Sequence, residues 1–187
     1  AGYLVHLYAF TNLIPNSDGL SRVYDLQQMT VSGRWFLHYA SALNDFTQMP
    51  AVIGLLSMVF LGIAAALVVD LLSIRSRVLG GLAGAVMAAF PCLGYTFLYL
   101  FTASAYCLAI LLAVLSVWLA RRGRTSWFLG VVALALSMGT YQAYVTFAIS
   151  LSLLTVFRAV LDSESGFRGT LRLGLGLVAY LAAGALL

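Results

Sequence analysis

Three of the six acidic residues of this chain lie in one polar segment, between Pro15 and Pro50. They are Asp18, Asp25 and Asp45. Apolar stretches flank the segment on both sides, and carboxylates gathered beside a membrane span are a first place to look for chemistry. A carboxylate there has the chemistry to deprotonate an acceptor hydroxyl, and an arginine has the geometry to hold a phosphate through two hydrogen bonds.

The spacing within this segment predicts two amphipathic helices that lie in the plane of a membrane surface. If the first helix begins at Asp18, then Asp18, Arg22 and Asp25 share one helical face. The second helix is predicted over residues 34–47. Its polar stripe consists of Arg34, His38, Ser41 and Asp45, its apolar side consists of Phe36, Leu37, Ala40 and Leu43, and Trp35 and Tyr39 suit the headgroup zone.

Each polar residue in the segment also has a purely structural interpretation. Asp18 could cap a helix, because it follows the turn-forming pair Asn16-Ser17. Arg22 could form a helical ion pair, and Arg34 could extend towards lipid headgroups. His38 and Asp45 could belong to a solvated face. Spacing alone therefore leaves a catalytic and a structural reading open.

The composition requires a membrane. The chain is 63% hydrophobic and only 9% charged, with a mean hydropathy of +1.00, whereas a soluble domain carries about a quarter charged residues. All ten basic residues are arginines in short gaps between apolar runs, and this distribution argues against a nucleic-acid partner. The sequence has no clustered His and Cys ligand set, and Cys92 and Cys107 are predicted to be small buried side chains.

The apolar runs predict an all-α, polytopic membrane helix bundle with about seven membrane helices. The predicted spans are 1–14, 51–74, 78–98, 103–120, 126–139, 141–160 and a last one from Leu173, with the first and last incomplete. Pro91 is expected to kink the third span. We expect residues 1–187 to be a single transmembrane domain and the N-terminal part of a longer enzyme, with the candidate site in the 15–50 loop.

Arginine counting predicts the orientation. Alternate connections hold eight of the ten arginines, namely Arg75, Arg77, Arg121, Arg122, Arg124, Arg158, Arg168 and Arg172. Because such residues concentrate on the cytoplasmic side, the 15–50 loop is predicted to be extracytoplasmic. Asp70, near the cytoplasmic end of its span, is expected to pair with Arg75 or an adjacent arginine.

Several stretches together resemble one family. They are NSDGLSRVYD (16–25), SGRWFLHY (32–39), FLYLFTASAYCLAILLAVL (97–115) and SMGTYQAYVTFAISL (137–151). In order and membrane spacing they resemble the polytopic glucosyltransferases of bacteria typified by the serotype-converting O-antigen glucosyltransferases. The resemblance implies a GT-C-like fold, with transfer of glucose or a similar hexose from a polyprenyl-phosphate-sugar donor. The acceptor would be a cell-surface polysaccharide or teichoic-type polymer, at the extracytoplasmic face of the bacterial plasma membrane.

The resemblance also implies residue roles. Asp18 would be the catalytic base of an inverting displacement. Arg34, as the first candidate, or Arg22, as the second, would stabilise the leaving phosphate. Because a lipid-phosphate leaving group needs no metal clamp, neither a metal nor a cofactor is expected. Tyr141 and Gln142 would face the substrate, and Asp25 shares the face of Asp18. Two departures stand out: the acidic pair common in the family's first external loop is Ser17-Asp18 here, and Ser104-Ala105 precede Tyr106 where relatives often have an acid.

Two other functional classes compete with a transferase. A transporter or flippase for lipid-linked saccharides should place ionisable groups in mid-membrane, but the predicted span centres carry no charge, which favours chemistry at the outer surface. A non-catalytic membrane scaffold is the third reading. The membrane lipids themselves are expected partners, and the sequence does not specify an oligomeric state.

Overall fold

The computed structural model describes residues 2–14, 32–45, 49–161 and 166–187, and within these ranges the secondary structure is entirely helical. The helices are α1 (Gly2–Val5), α2 (Leu7–Thr11), α3 (Leu37–Asp45), α4 (Pro50–Leu71), α5 (Arg77–Ala89), α6 (Pro91–Phe97), α7 (Leu100–Ala120), α8 (Arg124–Thr140), α9 (Val145–Leu161) and α10 (Gly166–Ala185). A 3₁₀ turn, Gln142–Tyr144, leads into α9. The all-α prediction is confirmed for the described residues.

Within the described ranges, three helices are long and apolar enough to cross a membrane: α4, α7, and α9 together with its 3₁₀ turn. A fourth candidate is the pair α5 and α6, which meet at an angle of 44°. The bend falls at Pro91, where the missing N–H interrupts the helical ladder, and this confirms the predicted kink. Seven spans and a GT-C-like fold stay predictions, since three to four candidate spans occur in the described ranges.

Helix α7 forms the centre of the bundle. Its buried side chains include Ala103, Cys107, Ile110, Val114 and Val117, and this spacing of three and four residues is that of a helix packed between neighbours. Helices α4 and α8 make the most extensive contacts with it. The burial of Cys107 was predicted from its apolar surroundings, whereas Cys92 is exposed.

Two buried hydrogen bonds tie α7 to other helices. Ser137 of α8 donates its hydroxyl proton to the Ala109 carbonyl at 2.8 Å, and the hydroxyls of Ser116 and Tyr180 lie 2.7 Å apart. The small side chains of Ser137, Ala109 and Ser116 at these points let the helix backbones approach closely, as in other membrane bundles.

Helix α3 differs from the prediction in which face it buries. Leu37 and Ser41 are 1% and 0% exposed, and the helix packs on α7, while His38 and Tyr39 are exposed. The predicted stripe that united His38 with Ser41 is therefore wrong. Ser41 is inexpensive to bury because its hydroxyl reaches a carbonyl of its own helix, that of His38, at 3.5 Å. The side chains at 43–45, including Asp45, lie outside the described set.

Three boundaries also differ from the sequence prediction. The break between α6 and α7 lies at Leu98 and Tyr99, whereas the predicted spans 78–98 and 103–120 leave residues 99–102 between them. The last helix begins at Gly166, seven residues before the predicted Leu173. The first apolar segment is interrupted at His6, whose Nε2 lies 3.0 Å from the Ala88 carbonyl oxygen. Helices thus extend past, or break within, the purely apolar runs.

The two ends of the bundle differ in chemistry. At one end Arg122 forms an ion pair with Asp70 at 3.0 Å, and Arg121 donates to the Leu71 carbonyl at 3.2 Å. The partner of Asp70 is thus Arg122, with a second hydrogen bond from the Trp118 indole at 2.7 Å. The C-terminal end of α4 therefore meets the arginine-rich connection after α7, and the side of the membrane that this end faces stays a prediction.

Candidate functional site

The opposite end of the bundle gathers a group that we call the arginine–tyrosine cluster: Arg34, Tyr106, Tyr141, Gln142 and Tyr144. Tyr106 lies near the start of α7, and the other tyrosines follow the end of α8. From Tyr106 to Arg121 the α7 axis rises about 22 Å, so the cluster is separated from the arginine-rich end by most of a membrane's hydrocarbon core.

The segment before α3 is attached to the turn after α8 by two hydrogen bonds. The Gln142 side-chain amide donates to the Ser32 carbonyl at 2.7 Å. The Phe36 backbone N–H donates to the Gly139 carbonyl at 2.8 Å. Two stretches separated by about a hundred residues in sequence therefore form one surface, and this surface positions Arg34.

Glycines make this close approach possible. Gly33 has a φ of +73°, in the left-handed region that side chains disfavour, and a Cβ there would lie 2.5 Å from Nε2 of Gln142. At Gly139 a Cβ would lie 2.5 Å from Cε2 of Trp35. The Trp35 ring thus occupies space that only a glycine leaves open.

The side chain of Arg34 lies over an aromatic ring. Its guanidinium carbon is 4.5 Å from the ring centroid of Tyr141, within the range of a cation–π interaction. The rings of Tyr106, Tyr141 and Tyr144 form a triangle with centroid separations of 5.6, 5.9 and 5.7 Å. This aromatic wall restricts where the guanidinium can point.

Arg34 retains hydrogen-bonding capacity. The residue is half-buried, and its Nε is buried and has no hydrogen-bond partner among the described residues. A buried cationic N–H without an acceptor is costly. An anionic oxygen that entered the cluster would supply that acceptor, and a guanidinium fork suits phosphate oxygens in particular.

The structure unites three of the six predicted site residues. Arg34, Tyr141 and Gln142 belong to the arginine–tyrosine cluster, as just described. Asp18, Arg22 and Asp25 lie outside the described residues, so the catalytic role of Asp18 stays a prediction. Within the described ranges no group of three or more His, Cys, Asp and Glu side chains is arranged to hold a metal ion.

Sequence reasoning missed Tyr106 and the role of Trp35. Trp35 was interpreted as a headgroup anchor, and the residue is 43% exposed, yet its ring packs on Gly139. The sequence did contain a signal for this contact, because Trp35, Tyr106 and Gly139 belong to three of the four stretches that carry the family resemblance. The contact between those stretches supplies a physical reason why they occur together.

Comparison with known proteins identifies a family. The sequence model of the family described as Glucosyl transferase GtrII matches residues 7–187, and the match includes Arg34, Tyr106, Tyr141 and Gln142. No curated protein and no solved structure matches the chain. Because the family match extends over nearly the whole sequence, the chain belongs to the GtrII glucosyl transferase family.

Proposed function

We propose that this chain is the donor-binding part of an integral-membrane glucosyltransferase that uses a polyprenyl-phosphate sugar. The sugar is glucose or a similar hexose, and the acceptor is a hydroxyl of a cell-surface polysaccharide or teichoic-type polymer. The family supplies the glucosyl transfer, and the apolar helices are compatible with a membrane location. The donor class, the acceptor and the mechanism are parts of the proposal.

The observation that carries this proposal is the position of Arg34. Its guanidinium rests on Tyr141, and its buried Nε has no acceptor within the described part of the chain. A sugar donor whose phosphate lies at headgroup depth would bring an anionic oxygen to the Nε–H of Arg34 while its prenyl tail stays in the bilayer. The aromatic rings of the arginine–tyrosine cluster offer apolar faces on which a sugar ring could stack.

The proposed reaction is a single displacement. The Asp18 carboxylate accepts the proton of the acceptor hydroxyl as that oxygen attacks the anomeric carbon. The bond between the anomeric carbon and the phosphate oxygen breaks, and its electron pair leaves with the polyprenyl phosphate. Arg34 stabilises the charge that develops on this phosphate. Attack opposite the leaving group inverts the anomeric centre.

The proposed location is the bacterial plasma membrane, with the arginine–tyrosine cluster on the extracytoplasmic side. Support comes from the opposite end of the bundle, where the C-terminal end of α4 meets the arginine-rich connection after α7. Arginines concentrate on the cytoplasmic side of multi-pass proteins. Because α7 separates the two ends, this rule assigns Arg34 to the outer surface.

The experiment that tests the proposal replaces the base. In the full-length protein, Asp18→Asn should abolish glucose transfer from polyprenyl-phosphate glucose in a membrane assay while leaving expression and membrane insertion intact. Asp162→Asn, a matched change in the connection predicted to be cytoplasmic, should retain activity. Normal transfer by the Asp18→Asn protein would refute the catalytic assignment.

A further inference from the structure

We propose that the arginine-rich end of the bundle carries a second site, which binds an anionic phospholipid. In this site the headgroup phosphate lies among Arg75, Arg121 and Arg158, and one acyl chain lies in the groove between α4 and α5. This site is separate from the arginine–tyrosine cluster, and it does not depend on the proposed glucosyl transfer.

The headgroup part of the site is a cavity of about 640 Å³. Arg75, Arg121 and Arg158 line it together with Ser73 and Thr155, so that it has three cationic side chains and two hydroxyls. Thr155 is only 3% exposed, and its Oγ1 has no hydrogen-bond partner among the described residues. A phosphate oxygen in the cavity would accept from this hydroxyl and from the guanidinium groups.

The electrostatics of the cavity favour an anion. Partial burial and the nearby charge of Arg158 lower the pKa of the Arg121 guanidinium, which shows that two like charges are held close together. Asp70 offers only partial compensation, because Arg122 and Trp118 engage its carboxylate. Arg122 in turn stacks on the Trp118 ring at 3.6 Å. A bound phosphate would offset part of the positive charge of Arg75, Arg121 and Arg158, which line the cavity.

A second cavity indicates that the anion belongs to a lipid. This groove, about 720 Å³ in volume, lies between α4 and α5 and shares Arg75 with the headgroup cavity. Small side chains widen it, among them Gly62, Ala65, Ala66 and Gly84. Between Val69 and Met58, both of which line it, the helix rises about 16 Å.

The depth of the groove matches one leaflet. A rise of about 16 Å is roughly half of a hydrocarbon core about 30 Å thick, and this is the depth that an acyl chain reaches from its headgroup. Basic pockets between membrane helices on the cytoplasmic side are a known environment for anionic headgroups. An arginine-lined cavity and an apolar groove that share Arg75 therefore fit a phospholipid better than they fit free phosphate.

The test measures lipid retention by the full-length protein with native mass spectrometry. Protein purified with equal amounts of phosphatidylglycerol and phosphatidylcholine should retain phosphatidylglycerol selectively. The double variant Arg121→Gln/Arg158→Gln should lose that retention by about tenfold or more, because the charge-assisted hydrogen bonds are removed. Arg124→Gln, at the same end but outside the cavity, should behave as the unaltered protein.

A second variant tests the acyl-chain groove independently of the headgroup cavity. Gly62→Leu should fill the groove without a backbone clash, because a Cβ at Gly62 meets nothing within 4 Å. It should weaken retention of long-chain phosphatidylglycerol, while the melting temperature in phosphatidylcholine shows that the fold is intact. Unselective retention, or an equal loss in Arg124→Gln, would overturn the site. If inorganic phosphate raises the melting temperature as much as phosphatidylglycerol does, and Gly62→Leu has no effect, the proposal of a lipid ligand would be wrong and the cavity would bind soluble phosphate.

Discussion

Trp35 packs its indole directly on Gly139, so closely that a Cβ on this glycine would lie 2.5 Å from Cε2 of the ring. The contact joins the segment before α3 to the end of α8. The next residue, Phe36, donates its backbone N–H to the carbonyl of the same Gly139 at 2.8 Å. The position of Arg34 depends on this junction, since Arg34 is the neighbour of Trp35.

Gly139→Ala should therefore reduce glucosyl transfer far more than it destabilises the protein. The added methyl forces Trp35 outwards and moves Arg34 away from Tyr141, whereas alanine itself favours a helix by about 1 kcal/mol. The measurement is the rate of transfer from polyprenyl-phosphate glucose, with the melting temperature in detergent measured alongside. Gly81→Ala is the matched control, because a Cβ there meets nothing within 4 Å and activity should be unchanged. Full activity in Gly139→Ala would show that the junction does not position the site.

The arginine fork should matter as well as its charge. Arg34→Lys preserves the charge but removes Nε and the paired donors, so a phosphate loses its bidentate partner. We expect kcat to fall by about tenfold to a hundredfold, with a smaller change in KM, because the leaving group gains most of its charge in the transition state. Arg124→Lys at the other end of the bundle should leave both constants unchanged. Equal kinetics in the two variants would reduce Arg34 to a headgroup anchor.

Tyr141 should act through its ring rather than its hydroxyl. Tyr141→Phe retains the aromatic face below Arg34, and its transfer rate should stay close to that of the unaltered enzyme. Tyr141→Leu removes the face, and a cation–π contact of about 0.5–1 kcal/mol corresponds to a loss of about twofold to fivefold. Comparing kcat/KM between the two variants shows whether the ring or the hydroxyl of Tyr141 contributes to transfer. If Tyr141→Phe is the more damaged variant, the hydroxyl itself contacts the substrate.

A separate prediction concerns the packing of α10. Tyr180 is fully buried, and its hydroxyl lies 2.7 Å from that of Ser116. Tyr180→Phe should lower the free energy of unfolding by about 1 kcal/mol, while Ser116 still donates to the Ala113 carbonyl. Thermal unfolding in detergent measures the change. Tyr95 is 72% exposed, so Tyr95→Phe should leave the melting temperature unaltered.

The helices were largely predictable because the bilayer imposes a simple rule on the sequence. Every backbone group must be satisfied inside the chain, so long apolar runs can only be helices. Pro91 could be identified as a kink for the same local reason. Orientation within a helix was harder to predict: Ser41 is polar, yet it is buried against α7, because packing between distant elements decided which face of α3 turned inwards.

The candidate site was predictable in its members rather than in its arrangement. Arg34, Tyr141 and Gln142 were identified from the family resemblance, but nothing in the local sequence relates residue 34 to residue 141. Their proximity depends on how α3 and α8 pack on α7, which is a long-range property. Tyr106 was missed because the expected acid before it is absent, and an aromatic residue near a helix end is ordinarily explained by the membrane interface.

The sidedness of the arginine–tyrosine cluster is the prediction on which the proposed chemistry depends most. In a background of Cys92→Ser and Cys107→Ala, a single cysteine at Ser21 should react with a membrane-impermeant thiol reagent added outside intact cells. A cysteine at Thr125, an exposed residue at the start of α8, should react only after the membrane is permeabilised. The physical reason is the clustering of arginines at the Thr125 end, which holds that end on the cytoplasmic side. If Ser21→Cys is instead protected and Thr125→Cys is labelled from outside, Asp18 and the arginine–tyrosine cluster would face the cytoplasm. A donor presented in the outer leaflet could not then reach Arg34, and the proposed direction of transfer would be wrong.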